Sequence, residues 1–161
     1  MRDVSLTGET MASKMITLNP YLTFIGNCEE AFNFYKSIFG GEFQFLGRYK
    51  DVPEEERKTF KDEDDEKIMH VSLPINKDTT LMGCDSQAPF GHTTEFGSNI
   101  SLALNTDSRQ DADRLFKGLS ADGQIKMDMN ETFWGAYFGM VKDKFGIQWM
   151  INCELIQHQH D

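Results

Sequence analysis

The segment NCEEAFNFYKSIFGG (residues 27–41) carries the local signals of one complete helix. Asn27 stands at the position of an N-cap, acidic residues follow in the first turn, and Gly40 and Gly41 end the pattern. Apolar side chains recur with the spacing of a buried helix face, at positions 31, 34, 35, 38 and 39. This stretch therefore predicts an amphipathic helix that packs against another layer of structure.

A second segment, TDSRQDADRLFKGLSADG (106–123), repeats this plan, with Asp107 or Ser108 as the cap and Gly123 as the stop. Five residues of the two helices correspond at a constant separation of 81 positions. They are Ala31, Phe34, Tyr35, Lys36 and Ile38, which match Ala112, Leu115, Phe116, Lys117 and Leu119. A repeat that spans half a chain is typical of a fold built from two similar modules.

Each predicted helix follows one strand and precedes three more, so the chain reads β-α-β-β-β twice. The predicted strands lie at 16–25, 42–50, 67–75 and 79–85, and then at 98–106, 124–129, 131–142 and 146–152. This order predicts an α+β fold of paired βαβββ modules. The expected domain spans 16–154, with module one at 16–85, a linker at 86–97 and module two at 98–154, between a flexible leader at 1–15 and a tail at 155–161.

The composition of the chain argues against several classes of function. The chain has 161 residues, 39% of them hydrophobic, and a formal net charge of −10. This charge disfavours nucleic acid and anionic membranes as partners, because both require a basic surface. The apolar runs are too short to span a bilayer, and the first twenty residues lack the apolar core of a signal peptide. Three cysteines without a CxxC pair, Cys28, Cys84 and Cys153, predict reduced thiols in a cytoplasmic protein.

Acidic residues are concentrated at 51–67, a segment that contains nine acidic and four basic residues. The spacing and the glycine of a calcium-binding EF-hand loop are missing from this segment. We interpret it as a solvated loop with one helical turn.

The segment TFWGAYFGMVKDKFGIQWMIN (132–152) predicts the last hairpin of module two, with Gly146 at positive φ in its turn. Strand alternation places Phe133 and Tyr137 on the same face as the glycines. If Gly139 pairs with Met150, this face also receives the side chains of Gln148, Met150 and Asn152. A face that combines aromatic rings, space beside glycines and side-chain amides is typical of the concave lining of a small-molecule pocket. An ordinary strand with glycines at bulges is the alternative.

The segments NPYLTFIGNCEEAFNFYKSIFGG, KIMH, LMGCD and TFWGAYFGMVKDKFGIQWMINCE resemble the PhnB-like branch of the vicinal oxygen chelate superfamily. That superfamily includes glyoxalase I, bleomycin resistance proteins and extradiol dioxygenases. The resemblance covers about residues 16–154 and implies two curved four-stranded sheets that form a cup with helices outside. It also implies a homodimer, since members of the superfamily often pair. Some PhnB-like sequences carry a demethylubiquinone methyltransferase label. Nothing in this chain resembles a doubly wound, Gly-rich S-adenosylmethionine site, so we do not transfer that activity.

The resemblance also implies where a metal would lie. Metal-dependent members place four ligands, His, Glu or sometimes Gln, on the cup face, from the first and last strand of each module. The matching positions here are Pro20, Met82, Asn99 and Met150. Proline offers no ligand, a thioether suits soft copper, and one amide cannot hold a divalent ion alone. A shift of one residue does not restore the set, so we expect neither a metal in the usual place nor a cofactor.

His70, in KIMHVSL, is the best candidate for a catalytic residue. If Ser72 faces Met82 across a hairpin with a three-residue turn, His70 faces Cys84 and both point into the cup. A two-residue turn would set His70 against Asp85 instead. Either pair suggests an acid, a base or a nucleophile. The interpretation we favour is a hydrogen-bonded histidine that lines the pocket. The other histidines, His92, His158 and His160, lie in the linker and the tail, where we expect exposure to solvent.

The expected function is metal-free binding of a small organic molecule in the cup. The predicted pocket residues are Pro20, Leu22, His70, Met82, Asn99, Phe133, Tyr137, Gln148, Met150 and Asn152. The alternative is a lyase or isomerase of glyoxalase type, with a relocated metal or with His70 as acid or base. The expected partners are the small organic ligand and a second copy of the chain, and neither nucleic acid nor a membrane.

Overall fold

A computed structural model describes residues 16–58, 64–86 and 94–155. The first module contains β1 (Tyr21–Phe24), α1 (Cys28–Phe39), β2 (Phe45–Arg48), α2 (Glu54–Arg57), β3 (Ile68–Pro74) and β4 (Thr80–Asp85). The second contains β5 (Leu102–Thr106), α3 (Arg109–Ser120), β6 (Gln124–Glu131), β7 (Ala136–Lys142) and β8 (Gln148–Glu154). The α+β fold of paired βαβββ modules is therefore confirmed. The short α2 is the helical turn predicted within the acidic segment.

Each module folds into one four-stranded sheet. The strand order is β1-β4-β3-β2 in the first sheet and β5-β8-β7-β6 in the second. The pairs β1–β4 and β5–β8 are parallel, and the others are antiparallel. The sequence repeat is reproduced residue by residue in the helices: adding 81 to Cys28 and Phe39 gives Arg109 and Ser120, the two ends of α3.

The two long helices cover one face of each sheet and bring the modules into a shared core. Tyr35 of α1 is fully buried, and its ring lies 5.6 Å from that of Trp149 in β8. Ile38 of α1 packs against Gly118 of α3, where an added methyl group would lie 3.0 Å from the isoleucine side chain. Burial of each large apolar side chain contributes about 1.5–3 kcal/mol, so this interface holds the modules together.

The N-terminus of α1 differs from the prediction. The Asn27 side chain makes no capping hydrogen bond. Asp85, at the end of β4, accepts instead, from the Cys28 amide at 3.0 Å and from the Ile68 amide at 2.9 Å. A buried carboxylate satisfies two backbone donors at once, which makes Asp85 a stronger cap than an exposed Asn. In α3 the predicted Ser108 does cap the helix, since its hydroxyl accepts from the Asp111 amide.

The turn between β7 and β8 is built on one buried carboxylate, Asp143. Its Oδ1 accepts from the backbone amides of Phe145 and Ile147, at 2.9 and 3.0 Å. Its Oδ2 accepts from the Tyr35 hydroxyl at 2.7 Å and from Trp149 Nε1 at 2.8 Å. Asp143 therefore closes the hairpin and ties it to α1 of the other module.

The sheet faces away from the helices are partly open to solvent. Tyr21 and Phe45 lie on this face of the first sheet and are 48% and 49% exposed. In the second sheet three methionines form a row across adjacent strands, because Met127 pairs with Met140 and Met140 pairs with Met150. Within the described ranges, no helix is long and apolar enough to cross a membrane.

Candidate functional site

A cleft of about 440 Å³ separates the free edge of β1 from the segment that leads into β5. One wall consists of residues 20–23, the other of residues between 94 and 102, and the β7–β8 turn contributes residues 146–148. Most of the lining is apolar, and the volume is in the range of small-molecule sites. We call this space the β1–β5 cleft.

Four of the predicted pocket residues line the β1–β5 cleft: Pro20, Leu22, Asn99 and Gln148. Gln148 braces the second wall, because its Nε2 donates to the carbonyl of Gly97 at 3.2 Å and to that of Ile100 at 3.3 Å. This use of the amide nitrogen leaves the amide oxygen as an acceptor for a ligand. The cleft therefore combines an apolar lining with a polar group held in place.

His70 lies outside the lining and reaches the cleft through Tyr21. The Tyr21 hydroxyl is 3.2 Å from His70 Nδ1, and the two rings stack with centroids 5.6 Å apart. Phe45 packs on the His70 ring, at 5.7 Å. Ser72 pairs with Met82, so the predicted register is confirmed and His70 lies opposite Cys84. Tyr21 also lines the cleft, which makes it the link between His70 and any bound molecule.

Tyr21 is a hydrogen-bond donor at neutral pH. Burial, followed by its hydrogen bond with Cys84, raises the pKa of the Tyr21 hydroxyl well above its ordinary value. The protonated hydroxyl lies within hydrogen-bond distance of His70 Nδ1. The pair can position or protonate a ligand oxygen at the cleft wall.

Tyrosine ionisation gives a testable pH dependence. Burial raises the pKa of Tyr49 to about 12 and raises the pKa of Tyr21 and Tyr35 beyond that of a free tyrosine. A folded-state pKa above the unfolded one means that the stabilisation is complete below the unfolded pKa and is lost at higher pH. We expect the free energy of unfolding to fall above about pH 10. In a spectrophotometric titration, these three tyrosines should ionise only as the chain unfolds. The urea-unfolded chain is the control, and ionisation of any of the three near pH 10 in the folded protein would contradict the expectation.

The four positions at which the family resemblance implies metal ligands do not form a chelating set. Pro20 precedes β1, and Tyr21 is the residue that pairs with Met82. Asn99 lies before β5 and is exposed, contrary to the predicted strand, and Ala103 pairs with Met150. Within the described part of the chain, no group of three His, Cys, Asp or Glu side chains is placed to hold an ion. These residues do not fit the divalent metal of the superfamily.

The predicted pairing of Gly139 with Met150 is wrong by one residue. Gly139 pairs with Ile151, and Met140 pairs with Met150. The glycine face itself packs under α3, where a methyl group at Gly139 would lie 2.9 Å from the Phe116 ring. Close packing of α3 on the sheet explains the glycine at position 139 better than contact with a ligand does.

Four predicted pocket residues of this hairpin lie outside the cleft lining. Tyr137 lies on the helix side of the sheet, and its hydroxyl donates to Asp113 of α3 at 2.7 Å. Phe133 precedes β7 and is 98% exposed. Met150 and Asn152 lie on the open face, outside the cleft lining, and Asn152 Nδ2 donates to Asn105 Oδ1 at 3.1 Å. His92, His158 and His160 are outside the described residues.

The second wall of the cleft contains residues that sequence reasoning missed. Thr94, Glu95 and Phe96 line the cleft, although the sequence predicts a linker at 86–97. The signal that was available is the aromatic Phe96 beside Gly97, an unusual pair for a solvated linker. A methyl group at Gly146 would lie 2.9 Å from the Phe96 ring, so the glycine at the hairpin turn receives this side chain.

Residues 16–152 match the family described as 3-demethylubiquinone-9 3-methyltransferase. The chain belongs to this family, the PhnB-like branch of the vicinal oxygen chelate superfamily. Protein YjdN from Escherichia coli (strain K12) is 32% identical over 141 residues, which are 84% of this chain and 93% of that protein.

Two solved structures support the same assignment of this PhnB-like protein. Protein PA1353 from Pseudomonas aeruginosa is 39% identical, with a TM-score of 0.76, over 86% of this chain and 98% of that one. The PhnB protein from Bacillus cereus is 27% identical, with a TM-score of 0.68, over 86% of this chain and 99% of that one.

The family description implies a methyl donor, and the described residues do not fit one. Each sheet has a single parallel strand pair, so neither forms the doubly wound sheet of a Gly-rich S-adenosylmethionine site. The turn from β1 into α1, residues 25–27, holds one glycine, Gly26. We derive no methyl transfer from this geometry.

Proposed function

We propose that this PhnB-like protein binds a small, partly apolar organic molecule in the β1–β5 cleft, without a divalent metal. The observation that carries the proposal is the cleft itself, about 440 Å³ of mostly apolar space braced by Gln148. Apolar walls supply affinity, and a few fixed polar groups supply orientation. The four superfamily ligand positions offer no chelating set, which favours recognition by shape and hydrogen bonding.

A substitution that fills the cleft with a large side chain tests this proposal. Thr23 lies on the cleft wall, so Thr23→Trp should weaken ligand binding by at least about tenfold. Asn105→Trp is the matched control, because Asn105 is exposed on β5 and outside the cleft lining. The measurement is calorimetric titration of hits from a thermal-shift panel of neutral and charged metabolites and antibiotics, in the presence of EDTA. Hits that bind Thr23→Trp as tightly as the wild type would contradict the site, and a panel without hits would contradict the function.

A second candidate is a lyase or isomerase of glyoxalase type, favoured by the Tyr21–His70 pair at the cleft wall. In this case the Tyr21 hydroxyl donates its proton to the substrate carbonyl oxygen, and His70 takes the proton from the adjacent carbon and delivers it to the former carbonyl carbon. The second substrate oxygen then gives its proton back to Tyr21, so that both side chains return to their starting state. Turnover of a 2-oxoaldehyde thiol adduct that disappears in both Tyr21→Phe and His70→Gln would support the enzyme. Binding of panel ligands without turnover supports the first candidate.

We also propose that the protein is a cytoplasmic homodimer. The exposed aromatic side chains Phe45, Phe133 and Trp134 support a second copy as partner, since an isologous contact would cover them in pairs. Cys28, Cys84 and Cys153 are free thiols in this fold, in keeping with a reducing compartment. Sedimentation equilibrium should give twice the mass of the chain, and a monomer at micromolar concentration would contradict the dimer.

A further inference from the structure

We propose that the molecule bound in the β1–β5 cleft carries a protonated amine, held between the Glu95 carboxylate and the rings of Tyr21 and Phe96. This inference rests on the proposed function, because it names the class of ligand that the same cleft accepts. It uses residues 94–96 of the second wall, which are not among the expected pocket residues.

Glu95 is the one charged side chain among the described residues of the lining. It makes neither an ion pair nor a hydrogen bond with any residue the structure describes. Other carboxylates of this protein have cationic partners: Glu29 accepts from Arg48 and Asp65 accepts from Arg57. A carboxylate beside an apolar cleft, without such a partner, attracts a cation supplied by a ligand.

Two aromatic rings flank the same space. Tyr21 and Phe96 line the cleft and are 48% and 45% exposed, so ring surface is available to a ligand. Both rings are held in place, because the Tyr21 hydroxyl is hydrogen-bonded to His70 and the Phe96 ring packs against Gly146. A cation within about 6 Å of an aromatic ring is stabilised by the negative charge on the ring face.

The neighbouring hydroxyl has an unmet hydrogen-bonding capacity. Thr94 Oγ1 is buried and has no partner in the described part of the chain. Thr94 precedes Glu95 in the same wall of the cleft. Buried polar atoms without a partner are rare in folded proteins, and a ligand is one of the groups that satisfies them. An ammonium group has donors for both the Glu95 carboxylate and this hydroxyl.

These features together select small organic amines with an apolar body. The apolar lining accommodates the body, and the wall at residues 94–96 receives the ammonium group. An anionic ligand is disfavoured locally by Glu95 and globally by the net charge of −10. A neutral molecule of equal shape retains the apolar contacts and loses the ionic one.

A pair of matched probes tests the proposal. Tryptamine and tryptophol have the same indole and ethyl groups, but tryptamine ends in an ammonium group and tryptophol in a hydroxyl group. At low ionic strength, calorimetry should show tryptamine binding at least about tenfold more tightly than tryptophol. Glu95→Gln should remove most of this difference and leave tryptophol unaffected. Glu30→Gln is the control, because it changes the net charge equally at an exposed site on α1 that lies outside the cleft lining.

The outcomes separate the inference from the proposed function. Equal affinities for the two probes, or equal effects of Glu95→Gln and Glu30→Gln, would overturn the ammonium site and leave binding in the cleft intact. Failure of the wild-type protein to bind tryptamine at millimolar concentration would also overturn it. A different result would contradict the proposed function: neutral ligands of the panel would also show no binding, or would bind outside the cleft.

Discussion

Replacing Asp143 with alanine is expected to lower the free energy of unfolding by about 3–5 kcal/mol. Four donors converge on this carboxylate: the amides of Phe145 and Ile147, the Tyr35 hydroxyl and Trp149 Nε1. Hydrogen bonds to a charged group contribute about 1.5–3 kcal/mol each, and the buried donors left behind lose their partner. Because Tyr35 belongs to α1 of the first module, the change loosens the contact between modules as well as the hairpin.

Urea unfolding followed by tryptophan fluorescence measures this effect, since Trp149 is one of the donors. Asp107→Ala is the matched control, because Asp107 is exposed and should change stability by less than about 0.5 kcal/mol. Asp143→Asn should be intermediate, since an amide keeps the size of the side chain and offers donors where acceptors are needed. A loss below about 1 kcal/mol in Asp143→Ala would show that the hairpin does not depend on the carboxylate.

Gly83→Ala is expected to cost about 3 kcal/mol of folding free energy. A methyl group at Gly83 would lie 2.6 Å from the Leu22 carbonyl oxygen and 2.6 Å from the Phe32 ring. The carbonyl belongs to β1, the strand that pairs with β4, so relief of the clash requires a shift of the backbone. Overpacking of this kind displaces either the edge strand or α1.

Gly97→Ala is the control for Gly83→Ala. An added methyl group there meets the flexible Asn99 side chain at 3.1 Å, and a small rotation of that side chain relieves the contact. Thermal unfolding should therefore show a much lower Tm for Gly83→Ala and a nearly unchanged Tm for Gly97→Ala. Equal Tm values for Gly83→Ala and the wild type would mean that β1 and α1 do not pack on Gly83 as described.

The sequence signals that depend on local chemistry predicted the fold well. The helix repeat predicted two helices 81 residues apart, because caps, glycine stops and apolar spacing act within one element. Positive φ at Gly146 followed from the turn alone, and the observed value is 91°. The cap of α1 could not be found this way, since Asp85 reaches Cys28 from 57 residues away.

Predictions about the site depend on strand register and on which face of a sheet a helix covers, and neither is a local property. The face of β7 that carries Gly139 and Tyr137 packs against α3, and one residue of slip between β7 and β8 places Met150 on the opposite face. Asn99 was placed in a strand by its apolar neighbours, although β5 begins at Leu102. Glu95 and Phe96 acquire a role only when the connector folds back against β1 and the β7–β8 turn.

The central claim is that the β1–β5 cleft recognises organic molecules without a divalent ion. Metal analysis of dialysed protein, purified without a histidine tag, tests it most directly. We expect zinc, nickel, manganese and iron well below one equivalent per chain, and an identical Tm with and without EDTA. One equivalent of such an ion that survives dialysis and is lost in His70→Ala would contradict the account.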